Sequence, residues 1–326
     1  MPEPPIIVIP ADDPPLVSRS PRLQLLDEFA DVRLFTDRPA TDDELIERLQ
    51  PADILLNSRG SLSIPEHVLT ACPKLKMIAV CGIGFDAIDL NTADRQNIIV
   101  SNIPGRTADL VAEHALALML ATARRLATMT RHLKAGEWPN ELGLSLHGRR
   151  IGIVGTGNIG TSLIALCHAL QMEVVAWSLH PDPDKAERLG FQYLPLEELL
   201  STSDVVSLHL RLTEQSHHLI NAERLELMKA SAILINTARG AVVDTNALAD
   251  ALHNGKLFGA GLDVFETEPI AADNPLRDCE NVVLTPHSAD QTQEGLDLLT
   301  QGCVDNIRAF LTGRPQNVVN RPSAVD

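Results

Sequence analysis

Three chargeable side chains stand at the ends of short apolar runs, where they could bind an anion or exchange a proton. Arg239 follows residues 232–238, Glu268 lies in an acidic loop after a second run, and His287 follows a third. A guanidinium can bind a carboxylate through two parallel hydrogen bonds, and an imidazole is well suited to general acid–base catalysis. Each residue also fits a structural role, as a surface arginine, part of an acidic loop or a structural histidine. Taken singly, the three motifs leave both interpretations open.

A glycine-rich turn, Gly-Thr-Gly-Asn-Ile-Gly, spans residues 155–160 between a predicted strand and a predicted helix. Gly155 permits the tight turn, Gly157 lets the backbone approach a pyrophosphate, and Gly160 lets the helix pack closely on the strand. The helix N-terminus adds N–H donors and a positive dipole end. Because the turn lies between a strand and a helix, it predicts a dinucleotide site.

The residue after the next predicted strand, 173–177, bears on the choice of dinucleotide. NAD-binding sites of this kind usually have an acidic residue there, which binds the ribose hydroxyls, but this sequence has Ser178. Serine cannot repel a 2′-phosphate, yet no arginine follows to attract one. Asp182 and Asp184 could restore NAD preference from the following loop, or they could belong to a solvated turn. NAD and NADP both remain open, with a slight preference for NAD.

Taken together, these motifs resemble those of the D-isomer-specific 2-hydroxyacid dehydrogenases, a family that includes phosphoglycerate dehydrogenases and glyoxylate/hydroxypyruvate reductases. The matching segments occur in the family's order and are Gly82-Ile-Gly-Phe-Asp-Ala-Ile-Asp89, Val111-Ala-Glu-His114, Gly155–Gly160, Asn236-Thr-Ala-Arg-Gly240, Asp263–Pro269 and Thr285-Pro-His287. The resemblance implies an oxidoreductase that transfers a hydride between NAD(P)H and C2 of a small 2-keto acid or D-2-hydroxy acid.

The resemblance also implies catalytic roles. Arg239 would bind the substrate carboxylate and polarise the keto oxygen, together with the backbone N–H groups of Ile83 and Gly84. His287 would be the general acid in reduction and the general base in oxidation. Glu268 would accept a hydrogen bond from His287 and favour its protonated form.

A larger set is implied for the cofactor. It comprises Thr107, Gly155, Gly157, Asn158, Ile159, Gly160, Ser178, His209, Thr237, Ala238, Arg239, Asp263 and His287. Within it, Asp263 would hold the nicotinamide carboxamide, with Thr107 nearby. Many family members read His-x-Pro where this sequence has His209-Leu-Arg211. Arg211 would then lie near the adenine side, where it could meet a 2′-phosphate or remain an exposed loop residue.

Two further residues are candidates for substrate choice and assembly. Arg59 follows the predicted strand 54–57 and could meet a second anionic group of the substrate. Trp138 resembles a family position that can reach a neighbouring subunit's site, or it anchors a dimer interface. The resemblance implies a homodimer in which the predicted helix 107–133 packs across a two-fold axis.

The elements that would position these residues alternate along the chain. Apolar runs without polar alternation predict parallel strands covered on both faces; they lie at 6–9, 54–57, 77–80, 98–101, 151–154, 174–177, 205–208, 233–236, 261–264 and 282–284. Helices are predicted between them and beyond them, at 41–49, 107–133, 158–170, 222–229, 246–253 and 292–311. The pattern predicts an α/β protein. We expect a doubly wound Rossmann cofactor domain at 102–287, inserted in a flavodoxin-like α/β substrate domain at 1–101 plus 288–326.

Composition excludes several other classes. The net charge is −16 and aromatic residues make up 3% of the 326 residues, which argues against a nucleic-acid partner. The five cysteines are scattered without a CxxC pair, so they predict neither a zinc site nor any other metal site nor a disulfide framework. No signal segment or membrane-spanning stretch is evident, and a cytoplasmic location with no membrane partner is expected.

Two alternatives keep the same fold. One is a dehydrogenase of another donor, such as phosphite. The other is a nicotinamide-sensing co-repressor that binds the cofactor without turnover, and the motifs alone do not distinguish it from an enzyme.

Overall fold

The computed structural model describes residues 3–60 and 62–322, and the chain divides into two compact units. The first comprises Met1–Thr107 and Gln291–Asp326, and the second comprises Ala108–Asp290. The division falls six and three residues beyond the boundaries predicted for the two domains, after 101 and after 287. The assignment of the substrate to the first unit and of the cofactor to the second stays a prediction.

Short parallel strands alternate with helices in both units. The strands are β1 (Ile6–Ile9), β2 (Asp31–Leu34), β3 (Ile54–Ser58), β4 (Met77–Cys81), β5 (Ile99–Ser101), β6 (Arg150–Val154), β7 (Glu173–Trp177), β8 (Gln192–Tyr193), β9 (Val205–Leu208), β10 (Ile233–Asn236), β11 (Gly259–Leu262) and β12 (Val282–Leu284). The α-helices are α1 (Asp42–Leu49), α2 (Glu66–Ala71), α3 (Leu90–Arg95), α4 (Ala108–Ala123), α5 (Leu126–Lys134), α6 (Asn158–Ala169), α7 (Pro183–Leu189), α8 (Leu196–Thr202), α9 (Ala222–Leu227), α10 (Thr245–His253) and α11 (Gln293–Leu311). Among the described residues, no helix is long and apolar enough to cross a membrane.

The sheet of the first unit has the strand order β2-β1-β3-β4-β5, and all its pairs are parallel. This is the flavodoxin-like order, as predicted. Strands β3 and β4 are buried along their whole length. The C-terminal helix α11 returns to this sheet, where Cys303, Val304 and Ile307 pack with apolar residues of β4.

The second unit, described in full, has a seven-stranded parallel sheet with the order β12-β11-β10-β9-β6-β7-β8. Numbered from β6, this is the Rossmann order 3-2-1-4-5-6 with one more strand at the end. Apolar clusters cover both faces of the sheet, which explains why its strands are apolar without alternation. Because the strands are parallel, the residues that follow β6, β9, β10, β11 and β12 emerge at one edge. The predicted α/β class with two doubly wound sheets is thereby confirmed.

One predicted helix is wrong in its continuity. The segment predicted as a single helix at 107–133 forms α4 and α5, with Arg125 between them in the left-handed conformation at φ 50°. The guanidinium of Arg125 lies 4.5 Å from the Phe258 ring centroid and 3.4 Å from the Glu141 carboxylate. These distant partners stabilise the break, and no proline or glycine marks it in the local sequence.

Other differences concern short or edge elements. Strand β2 is mostly exposed and carries alternating charges, so it lacks the apolar run that predicts a buried strand. Strand β8 has two residues, and α2, α3, α7 and α8 have six or seven, too few to display a helical period. Strand β11 begins and ends two residues earlier than the predicted 261–264.

We expect Gly160→Ala to lower the free energy of unfolding by about 1–3 kcal/mol, as overpacking does. A Cβ atom at this position would lie 2.1 Å from the Gly155 carbonyl oxygen, so α6 would have to move away from the turn. Alanine normally stabilises a helix by about 0.5–1 kcal/mol relative to glycine, which makes a loss diagnostic. Urea denaturation without added ligand measures the change.

The matched control is Gly157→Ala in the same turn, where a Cβ would meet no atom within 4 Å. We expect this variant to lose less stability than Gly160→Ala. A Gly160→Ala protein as stable as the unmodified chain would contradict the close packing.

Candidate active site

His287 and Glu268 form the central pair of the second unit. His287 Nδ1 lies 2.6 Å from Glu268 Oε2, and both side chains are about one-third exposed. The other carboxylate oxygen, Oε1, accepts a hydrogen bond from the Phe265 N–H at 3.0 Å. Burial raises the pKa of Glu268, but the hydrogen bond and charge of His287, the Phe265 N–H and the charge of Arg239 outweigh it. Glu268 is therefore ionised at neutral pH and accepts a hydrogen bond from His287 Nδ1.

The backbone of His287 is held in an uncommon conformation. Its φ is 50°, in the left-handed region, which is costly for a residue other than glycine. The His287 N–H donates to the Thr285 carbonyl oxygen at 3.0 Å. The buried carboxylate of Asp263 accepts hydrogen bonds from the Ser288 N–H at 2.8 Å and the Ala289 N–H at 2.9 Å. Asp263 thus fixes the loop that carries His287.

Arg239 follows β10 in a turn that the buried Asn236 side chain organises. Asn236 Oδ1 accepts from the Ala238 N–H at 3.0 Å, and its Nδ2 donates to the Arg239 carbonyl at 2.9 Å. At Gly240, a Cβ would lie 1.9 Å from the carbonyl carbon of Phe265. The glycine therefore lets this turn pack directly on the loop after β11, which brings the guanidinium charge of Arg239 to the pair described above.

The glycine-rich turn joins β6 to α6. Gly155 has φ 104°, and a Cβ there would lie 2.5 Å from the His209 carbonyl oxygen. Gly157 is the N-cap of α6 and gives no side-chain cap, so it leaves the first N–H groups of the helix open to an anion. Space around Gly157 is open. Asn158 and Ile159 begin the helix, as predicted for the helix start at residue 158.

Several buried polar atoms have no hydrogen-bond partner among the described residues. In the second unit they are Nδ1 of His209, Oγ1 of Thr237, Oγ of Ser203 and Nε of Arg125, and in the first unit they are Oγ1 of Thr107 and Oγ1 of Thr300. Burial lowers the pKa of His209 to about 4, so its ring is neutral at pH 7, and its Nε2 lies 2.9 Å from Ser207 Oγ. Buried polar atoms are rarely left unpaired. His209 and Thr237 directly follow β9 and β10, so with the open glycine turn their unpaired atoms fit a polar cofactor such as NAD(P).

At the end of β7, the structure adds a residue that sequence reasoning missed. Lys185 on α7 donates from Nζ to the Thr156 carbonyl of the glycine-rich turn at 3.0 Å. Ser178 turns the chain by accepting the His180 N–H at 3.2 Å. Asp182 caps α7, which favours its turn-forming interpretation. A basic residue eight positions beyond a strand end carries no sequence signal of its own, which is why Lys185 was not predicted.

The predicted substrate residues of the first unit lie on two adjacent loops. Arg59 follows β3 in a left-handed conformation, φ 55°, and its N–H donates to the Cys81 carbonyl at 3.0 Å. Ile83 and Gly84 follow β4, and a Cβ at Gly60 would lie 3.0 Å from the Gly84 carbonyl oxygen. The structure therefore brings Arg59 and the Ile83–Gly84 segment together within this unit.

Known proteins share this architecture and these motifs. The family of D-isomer specific 2-hydroxyacid dehydrogenase NAD binding domains matches residues 116–289. A glyoxylate reductase from Korarchaeum cryptofilum is 39% identical over 307 residues, which is 92% of each chain. A D-lactate dehydrogenase from Aquifex aeolicus, solved with NAD and lactic acid, has a TM-score of 0.85 and 32% identity, covering 98% of this chain and 100% of its own. An acyclic imino acid reductase, solved with NADPH and D-Arg, has a TM-score of 0.86 and 29% identity over 96% and 99% of the two chains.

The sequence similarity extends well beyond the cofactor turn, and the family match alone covers more than half of the 326 residues. The resemblance drawn from the motifs is thereby confirmed. The chain belongs to the D-isomer specific 2-hydroxyacid dehydrogenase family and is an NAD(P)-dependent oxidoreductase that acts on CH–OH donors.

Proposed function

We propose that this enzyme reduces a small 2-keto acid, glyoxylate or hydroxypyruvate, to the corresponding 2-hydroxy acid, with Arg239, Glu268 and His287 as its catalytic residues. The observation that carries the proposal is the 2.6 Å contact between His287 Nδ1 and Glu268 Oε2, with the Arg239 charge beside it. Similarity to a glyoxylate reductase over 92% of the chain supports a small substrate.

Proton transfer is assigned to Nε2 of His287. The ionised Glu268 can only accept hydrogen bonds, so Nδ1 carries a proton toward it. The same carboxylate favours the protonated imidazole by its charge. His287 then donates a proton to the developing alkoxide from the opposite ring nitrogen, and it takes the proton back in the oxidation of a hydroxy acid.

Anion binding is assigned to Arg239. Its guanidinium can hold the substrate carboxylate bidentately and place the keto oxygen toward His287. In the first unit, we extend the proposal to Arg59, Ile83 and Gly84 as substrate-binding residues, because they follow the neighbouring strands β3 and β4.

The cofactor supplies the hydride when it is bound. In the proposal, the N–H groups at Gly157, Asn158 and Ile159 hold the pyrophosphate. Other parts of the cofactor would meet the unpaired buried polar atoms of Thr237, His209 and Thr107. The backbone of Gly155, Gly160 and Ala238 shapes the same edge of the sheet.

Asp263 retains capacity for the predicted bond to the nicotinamide carboxamide. Its Oδ1 accepts from Thr285 and Ser288, whereas the Ala289 N–H is the single donor that the described residues give to Oδ2. A carboxylate oxygen can accept two hydrogen bonds. We therefore assign two functions to Asp263: it holds the loop, and its Oδ2 accepts a hydrogen bond from the nicotinamide carboxamide.

NAD and NADP are both compatible with the family, and we retain the slight preference for NAD. The Asp182 carboxylate accepts the Lys185 N–H and caps α7, so the preference for NAD does not rest on Asp182. Arg211 is exposed after β9, the neighbour of β6 in the sheet. We assign to Arg211 whatever affinity the enzyme has for a 2′-phosphate.

A homodimer in the cytoplasm completes the proposal. Large apolar side chains are exposed on α5 and on the segment after it: Leu126 and Leu133 are 52% exposed, Trp138 90% and Leu142 86%. Such a patch is typical of a protein–protein interface, and we assign Trp138 to the contact with a second copy. All five cysteines lie in the described residues as free, buried thiols, which supports a reducing compartment.

The proposal is tested by following nicotinamide absorbance with glyoxylate, hydroxypyruvate, pyruvate and bulkier 2-keto acids, each with NADH and NADPH. We expect turnover to be greatest with glyoxylate and hydroxypyruvate. Arg239→Ala should raise KM and lower kcat together, by about 100-fold or more in kcat/KM, since a charge-assisted bidentate contact is lost. Cofactor binding without turnover of any acid would favour a nicotinamide-sensing protein, and near-normal kinetics of Arg239→Ala would require another carboxylate-binding residue.

We expect Glu268→Gln to move the basic limb of the pH profile of reduction to lower pH, because the protonated His287 loses its anionic partner. At pH values above neutral, turnover should fall by about tenfold or more, part of what general acid catalysis contributes. The pKa of Glu268 is lowered in the fold, so its pairing stabilises the protein above the ordinary carboxyl range. That contribution is lost as the pH falls through the lowered pKa.

The control is Glu266→Gln in the same loop, whose carboxylate lies 3.4 Å from His218 and accepts the Thr245 N–H at 3.0 Å. This variant should keep the pH profile of the unmodified enzyme. An unchanged profile in Glu268→Gln would show that the pair does not govern the protonation of His287.

We expect Arg211→Ala to raise the KM for NADPH by about tenfold, the effect of losing one charge-assisted contact, and to leave the KM for NADH unchanged. Steady-state rates with glyoxylate and each cofactor measure the difference. Arg131→Ala, which removes an exposed arginine that pairs with Glu280, serves as the control. An equal effect on both cofactors, or none on either, would remove Arg211 from phosphate recognition.

A further inference from the structure

A second histidine of the second unit, His114, lies behind the loop that carries His287. It belongs to helix α4, and its Nε2 lies 3.0 Å from Thr285 Oγ1 and 3.4 Å from Asp263 Oδ1. The side chain is 22% exposed. The motif at residues 111–114 contributed to the family resemblance, but no role was assigned to its histidine.

The direction of the hydrogen bonds follows from the donors available. Thr285 Oγ1 lies 2.6 Å from Asp263 Oδ1. Burial raises the pKa of Asp263, but hydrogen bonds from His114, Thr285 and the Ser288 N–H outweigh it, so the pKa is lowered and the carboxylate is ionised. An ionised carboxylate cannot donate, so the single hydroxyl proton of Thr285 points to Asp263. Thr285 must then accept from His114, and Nε2 carries a proton.

The residues that take part in this chain of hydrogen bonds lie on both sides of His287 in the sequence. Thr285 precedes His287 by two residues, and its carbonyl oxygen accepts a hydrogen bond from the His287 N–H at 3.0 Å. Ser288 follows His287 directly and donates its N–H to Asp263 at 2.8 Å. The left-handed backbone of His287 is thus fixed on both sides by residues that His114 or its partner Asp263 binds.

The fold does not need His114 to hold these elements in place. Helix α4 packs on the second sheet through buried apolar side chains that include Ala112, Ala115 and Leu118. The end of β12 is paired with β11, and the Thr285 N–H donates to the Leu262 carbonyl at 3.0 Å. The polar contact of His114 therefore adds orientation to a loop whose ends are already anchored.

We propose that His114 is a positioning residue for the reaction: by donating to Thr285, whose hydroxyl in turn binds Asp263, it orients the loop so that the His287 imidazole meets Glu268 and the substrate. This inference rests on the proposed role of His287 as the proton donor. His114 acts through these neighbours.

The test compares His114→Leu, which has a similar volume and no donor, with His114→Gln, whose Nε2 amide can still donate to Thr285. Thr285→Val removes the hydroxyl that lies between His114 and Asp263. Each protein is loaded with NADH, and a single turnover is followed by nicotinamide absorbance after mixing with saturating glyoxylate. Cofactor stoichiometry and dissociation constant are measured separately by nicotinamide fluorescence, which counts correctly folded sites without any turnover.

We expect His114→Leu to bind NADH at full stoichiometry with an unchanged dissociation constant, and to react up to about 100-fold more slowly, as a small misplacement of a reacting group does. The KM for glyoxylate should change little, because Arg239 is untouched. His114→Gln should restore most of the rate. His114→Leu combined with Thr285→Val should lose no more than the more damaging single change, since both interrupt one chain of contacts.

Three outcomes would overturn the inference. One is an unchanged rate in His114→Leu, another is failure of His114→Gln to recover any of it, and the third is a weaker NADH affinity with a normal rate at saturation, which would make His114 a cofactor residue. His168→Leu, which removes another helical histidine whose Nε2 bonds to the Leu189 carbonyl at 2.9 Å, is the control and should react normally. His287→Ala separates the two hypotheses, because a fully active His287→Ala would overturn the proposed function itself.

Discussion

The buried carboxylate of Asp263 is the constraint on which the second unit's site depends. An ionised group with no solvent exposure is costly unless hydrogen bonds replace its water, and here Thr285, Ser288 and Ala289 supply them. All three belong to the loop after β12. The carboxylate of Asp263, directly after β11, needs these hydrogen bonds, and this need determines the course of the neighbouring loop. His287 lies inside that course, and its left-handed backbone is a consequence of it.

Two kinds of close contact bring the remaining groups to the same edge. Parallel strands β10, β11 and β12 end side by side, so their following loops are neighbours before any side chain is considered. Gly240 then removes the Cβ that would strike Phe265, which lets the Arg239 turn contact the loop of Glu268. Backbone geometry sets the distance between the two loops, and the charges of Arg239 and Glu268 act across it. A larger residue at 240 would separate them.

The motif residues could be predicted from the sequence because their signal is local: a glycine turn, or a charged residue after an apolar run. Most strands of both sheets were predicted for the same reason, since buried parallel strands are apolar throughout, whereas the exposed β2 and the two-residue β8 were not. The break at Arg125 could not be predicted, because it depends on Phe258 and Glu141, far away in the sequence or outside the helical pattern. Lys185 on the glycine turn and His114 behind Thr285 are likewise tertiary contacts. A residue type indicates what a side chain can donate, but only the fold determines to which atom.

Two of the acidic residues in the loop after β11, Asp263 and Glu268, illustrate how environment divides one chemistry into two functions. The pKa is lowered for both Asp263 and Glu268, and in both hydrogen bonds outweigh burial. Asp263 is enclosed, and most of its donors are a hydroxyl and backbone N–H groups that do not titrate, so it keeps its charge and its geometry throughout the neutral range. Glu268 is one-third exposed and its main partner is a titratable imidazole, so its effect changes with the proton that the reaction moves. A rigid carboxylate and a responsive one, five residues apart, are what a proton-coupled hydride transfer requires of this loop.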